Sequence, residues 1–80
     1  MLPTLRTRAR VRLLAAVLPR ESAAFTLAGR AEGRHYCGVC DEVISGPIEF
    51  RLRFANYTVL YFHARCHDAW MAERQALGAP

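Results

Sequence analysis

From Ile48 to Phe54 the chain alternates strictly, with Ile48, Phe50, Leu52 and Phe54 set against Glu49, Arg51 and Arg53. A period of two predicts a half-buried strand with one core face and one wet face, entered through the Ser45-Gly46-Pro47 turn. Ala55-Asn56-Tyr57 can turn the chain, and the β-branched and aromatic run from Thr58 to Phe62 is expected to pair back as the second strand of a hairpin. Beyond it the period changes to that of a helix. Cys66, Trp70, Glu73 and Leu77 share one face, Asp68 lies in the first turn, Arg74 in the last, and Gly78 supplies a stop. Trp70 is expected to pack from that face onto the hairpin.

The N-terminal part carries weaker patterns. Arg6, Arg8, Arg10 and Arg12 alternate with Thr7, Ala9 and Val11, which places the four charges on one face of a strand but on two faces of a helix. Leu13 to Leu18 is a good helix former that Pro19 should stop, so a short helix is expected over residues 5–18. Residues 20–34 are small residues, glycines and scattered charges, read as a linker with one strand around Phe25. Seven of the eight aromatic residues lie at or after Tyr36. The expected organisation is therefore a basic arm and linker over 1–34, partly helical or disordered, and a folded unit over 35–78. The apolar stretch at Leu13–Leu18 is too short to span a bilayer, and too short for a secretory signal ending in Pro19-Arg20-Glu21. A cytoplasmic location without a membrane span is the expectation.

Composition sharpens this picture. With 80 residues, 52% hydrophobic and 22% charged, the chain has room for one small domain that needs a metal, disulfides or a partner to hold it. No separate substrate domain fits, so a non-enzyme without a small-molecule substrate is expected. All eleven basic residues are Arg, and the formal net charge is +4. Seven arginines and two acids precede Tyr36, a charge of +5, against four arginines and five acids from Tyr36 onward, a charge of −1. Basicity thus belongs to the N-terminal segment, where guanidinium groups suit an acidic partner, whether nucleic acid, anionic lipid or protein. The absence of Lys also fits a GC-rich codon usage.

Candidate chemistry lies in Cys37, Cys40, His63 and Cys66: CxxC, 22 intervening residues, then HxxC. Two pairs of soft ligands, each on a short turn and separated by a hairpin, suit a tetrahedral Zn2+ site. Cys66 falls in the first turn of the predicted helix, where the positive end of the dipole favours a thiolate. Three cysteines fit a closed disulfide framework poorly, and a redox CxxC needs a βαβ setting absent from this pattern. A set of three thiolates and one imidazole leaves no open position, which predicts a structural ion. His67, next to Cys66, competes with His63 as ligand but lacks the paired spacing, and His35 is expected at the surface. Arg65, between two ligands, is a candidate to neutralise the site.

These residues resemble a treble-clef CCHC zinc finger of the kind found in the first half of LIM domains and in PARP-type fingers. Cys37-Gly38-Val39-Cys40 corresponds to the knuckle, Ile44 to the hydrophobic residue that follows it, and Tyr61-Phe62-His63-Ala64-Arg65-Cys66 to the passage into the helix. The likeness covers roughly residues 36–77. Asp41 stands where many knuckles carry Gly, and Asp tolerates the left-handed conformation that position needs. The resemblance implies an α+β fold of knuckle, hairpin and C-terminal helix. PARP-type fingers place strand arginines on phosphates, which points to Arg51 and Arg53. The leading expectation is a non-catalytic nucleic-acid-binding or regulatory module using Arg6, Arg8, Arg10, Arg12, Arg51 and Arg53. The alternative is a LIM-like adaptor holding an acidic or apolar protein, and the third reading is a remnant of an HNH-type nuclease built around His67 and Asp68.

Overall fold

The computed structural model describes residues 4–78. Helix α1 (Leu5–Leu14) is followed by strands β1 (Phe25–Gly29), β2 (Glu49–Arg53) and β3 (Val59–Phe62), and helix α2 (Ala64–Ala76) comes last. The strands form one antiparallel sheet in the order β1-β2-β3. The fold is therefore α+β, as the patterning implied, with both helices part of it.

The hairpin follows its sequence closely. Phe50, Leu52 and Phe54 face the core while Arg51 and Arg53 are exposed. Its turn is made by Tyr57 at φ +69°, with the Asn56 side chain accepting from the Thr58 N–H at 3.1 Å. The alternation fails at its first two residues. Ile48 is exposed, and Glu49, on the polar face, is buried because His35 covers its carboxylate at 2.9 Å. Helix α2 presents Cys66, Trp70 and Glu73 inward, as its period required. Trp70 meets Phe54 edge-on at 6.0 Å and Phe62 at 5.4 Å, which fastens the helix to the hairpin. Gly78, at φ +78°, ends the helix as expected.

The N-terminal segment departs from the expected arm. The sequence pattern places a boundary between residues 34 and 35, yet the core runs across it: Ala9, Leu13 and Leu18 are buried in the same cluster as Ile44, Leu52, Phe62 and Trp70. Helix α1 packs on α2, and β1 adds to β2 with Phe25 opposite Arg53 and Leu27 opposite Arg51. The physical reason is area. A hairpin and one helix leave apolar surface on α2 uncovered, and α1 covers it. Polar contacts close the seam: Trp70 Nε1 donates to the Pro19 carbonyl at 3.0 Å and Arg74 Nε to the Arg20 carbonyl at 2.8 Å. The helix also ends before Pro19. Ala16 takes a left-handed φ of +60°, the Val17 N–H donates to the Arg12 carbonyl and the Ala16 N–H to the Leu13 carbonyl, the 6→1 and 5→2 closure that finishes many helices.

Candidate metal centre

The knuckle is a tight reversal. An isolated antiparallel bridge joins Tyr36 to Val43, the Ile44 N–H donates to the His35 carbonyl at 2.8 Å, and the Cys37 N–H to the Glu42 carbonyl at 2.9 Å. Between these rungs Cys37 and Cys40 project from one short loop, and Asp41, at φ +64°, carries the chain back in the left-handed conformation. The Gly38 N–H donates to the Tyr61 carbonyl at 2.9 Å and pins the loop against β3. His63 follows that strand as the N-cap of α2, and Cys66 lies in the first turn.

These four residues converge. The donor atoms of Cys37, Cys40, His63 and Cys66 all lie within 4.8 Å of one another. The His63 Nδ1 is 3.4 Å from Cys40 Sγ and 3.8 Å from Cys66 Sγ. A tetrahedral ion with metal–sulfur bonds of ~2.3 Å and metal–nitrogen bonds of ~2.0–2.1 Å sets sulfur and nitrogen about 3.6 Å apart. The two observed separations bracket that value, so the donor set fits one ion, with His63 contributing Nδ1. The cysteines are free thiols, not bridged to one another.

Electrostatics make the same point. Burial raises the Cys37 thiol, but backbone N–H groups of Cys40, His63 and Val39 directed at its sulfur outweigh burial and bring it down to about 7. Burial raises both Cys40 and Cys66, and the negative charge of Cys37 beside them raises them further. Three thiols in one pocket cannot all ionise without a cation between them. A divalent ion held by these donors would offset that repulsion and displace the protons.

Two arginines of α1 reach the knuckle. Arg8 Nη1 donates to the Cys40 carbonyl at 3.2 Å, and Arg12 Nη1 donates to the Gly38 carbonyl at 3.2 Å while its guanidinium pairs with the Asp41 carboxylate. Arg65, the sequence candidate for that neutralising role, is exposed instead. Among the other residues singled out, Arg6 Nε pairs with the buried Glu73 carboxylate at 3.2 Å, and Arg10 is exposed on α1. Arg51 and Arg53 are exposed on the outer face of the sheet, away from the cysteine cluster. His67 stays out of the donor group; its ring stacks on Phe50 at 4.4 Å, and burial lowers its pKa. His35 is half-buried, stacked on Tyr61 at 3.7 Å.

Sequence reasoning missed the role of Arg8 and Arg12. The signal was the alternation itself, since residues four apart lie on one helical face, but their partners 26 to 32 positions away leave no local trace. The chain matches no family model, no curated protein and no solved structure.

Proposed function

We propose that this chain is a non-catalytic, structural zinc module that binds nucleic acid. The observation carrying the first half is the CCHC donor set, whose four donor atoms all lie within 4.8 Å of one another, with two sulfur–nitrogen separations at the values a tetrahedral ion requires. Sulfur-rich tetrahedral sites favour zinc over the hard, oxygen-seeking cations. Four protein ligands leave no position for a reactive water, so the ion staples rather than catalyses. His67, held in a stack on Phe50, is not presented as a general base, which supports the non-catalytic reading over an HNH-type remnant. The order knuckle, hairpin, helix, with the second ligand pair at the start of α2, supports a treble-clef description. In that framework α1 and β1 are additions beyond the finger.

Nucleic-acid binding rests on the distribution of arginines. Arg6, Arg8 and Arg12 have partners within the chain, so the phosphate contacts fall chiefly to Arg51 and Arg53, with Arg10 exposed on α1. Exposed apolar residues beside them, Phe25, Leu27 and Val59, favour a second reading, a protein-binding adaptor. Salt separates the two. Affinity for random-sequence DNA should fall log-linearly with salt concentration, with a slope near −0.9 per phosphate neutralised. An affinity for a protein partner that is insensitive to salt, with no DNA bound at low salt, contradicts the proposal.

A further inference from the structure

The outer face of the sheet combines exposed apolar and basic side chains. In register, β1 places Phe25 opposite Arg53 and Leu27 opposite Arg51, and β3 places Tyr61 opposite Arg51 and Val59 opposite Arg53. Directly paired residues share a face, so aromatic and aliphatic side chains flank the two arginines on both sides. Phe25, Arg51, Arg53, Val59 and Tyr61 line an open groove of about 270 Å³. The Arg53 guanidinium lies 5.9 Å from the centre of the Phe25 ring, which is half exposed. The opposite face of the same strands is committed to the core through Leu52 and Phe62.

We propose that this groove binds a single strand of nucleic acid, with bases stacked on Phe25 and Tyr61 and phosphates held by Arg51 and Arg53. The inference rests on the nucleic-acid reading above and specifies the form of nucleic acid and where it binds. Charge complementarity argues for it. The one acid that β2 places on this face, Glu49, is buried and paired with His35, and among the described residues neither Arg51 nor Arg53 is ion-paired with a carboxylate, although Glu32 lies on the rim beside Arg51. Spacing argues for it too: Arg51 and Arg53 are two residues apart on one face, ~6–7 Å along the strand, matching a repeating polyanion. The stacking surface is ordered in advance. Tyr61 stacks on His35 with rings 13° from parallel, and Glu49 holds the other edge of that imidazole at 2.9 Å. The major groove of a duplex admits an α-helix or a two-stranded ribbon, and this face is three strands wide; unstacked bases can lie across it, and rings plus basic groups form a sequence-tolerant platform.

The test uses fluorescence anisotropy with the full chain loaded with zinc. The probes are one labelled 15-nucleotide sequence as single-stranded DNA, as single-stranded RNA, and as its DNA duplex. At least one single strand should bind tenfold or more tightly than the duplex. Phe25→Ala should weaken single-strand binding by roughly tenfold and leave the duplex unchanged. Phe25→Leu, which keeps the apolar area on the edge strand, should lose as much, since it removes the π face. Arg51→Gln with Arg53→Gln should lower the single-strand salt slope by about 1.4, which is ~0.7 for each phosphate contact. Equal or tighter duplex binding, or Phe25 variants that bind normally while the arginine variants fail, overturns the groove and leaves nucleic-acid binding standing. No binding to any probe at low salt overturns both.

Discussion

At Gly38 the close approach of the knuckle to β3 decides which residue can stand there. A Cβ on Gly38 would lie 2.8 Å from Phe62 Cε1 and 3.4 Å from Leu18 Cδ2, both on fully packed side chains. Gly38→Ala is therefore expected to cost about 1–3 kcal/mol, as overpacked sites do, read as a shift in the urea midpoint of the metal-loaded protein. The thiols lead to a second expectation. Cys37 titrates at about 7, while Cys40 and Cys66 are both raised, so the metal-free site at pH 8 holds one thiolate and two thiols. Metal binding must then release about two protons, and the apparent affinity should rise roughly a hundredfold per pH unit near pH 8, because the ligands bind deprotonated. As pH falls through 7 the Cys37 proton joins them and the loss steepens. Calorimetric titration in buffers of different ionisation enthalpy counts these protons; release of none contradicts the site. The four ligands were legible in the sequence because soft-metal chemistry admits few residue types and fixes their spacing. Asp41 was legible through its tolerance of positive φ. Gly38 was not, since its constraint comes from Phe62, a residue far along the chain.

Among the elements, α1 is the one whose place the sequence concealed. Four arginines in ten residues, with only Ala9 and Leu13 buried, leave little periodic signal of a core-facing helix. Its inward face is Ala9 and Leu13, with Leu5 partly buried beside them and the guanidinium groups of Arg8 and Arg12 alongside, not a wide apolar stripe. Its end was misplaced because Ala16 adopts a left-handed conformation for which alanine has no preference. Two outcomes follow from these placements. Leu13→Ala should cost about 2–5 kcal/mol, as buried leucines do, whereas a leucine on an unpacked arm would cost nothing measurable in the same denaturation experiment. Ala16→Gly should stabilise by about 1 kcal/mol, because it relieves the left-handed alanine at an exposed position. The hairpin from Phe50 onward and the inward face of α2 were legible, since their periods of 2 and 3.6 answer to one core; the exposed Ile48, the buried Glu49 and the buried Arg74 were not, because each depends on a partner elsewhere in the chain. Strand β1 was legible as a single strand near Phe25, but its partner was not, because pairing to β2 is a non-local choice.

At the scale of the whole molecule, a small core is closed at two levels. Leu13, Leu18, Ile44, Phe54, Phe62 and Trp70 form the apolar centre, and the four donor atoms join the knuckle to the junction of β3 and α2. Arg8 and Arg12 connect the levels, since they hang from α1 and hold the carbonyls of the knuckle. Metal binding at these donors would therefore be coupled to the packing of α1, and domains of this size usually need such a staple. The direct measurement is the metal content of the chain purified without added metal, followed by chelation while the far-ultraviolet dichroism and Trp70 fluorescence are recorded together. One ion per chain, with both signals lost in a single transition and restored by zinc, is the predicted result. Metal-free protein that keeps its helical signal and its buried Trp70 contradicts the account.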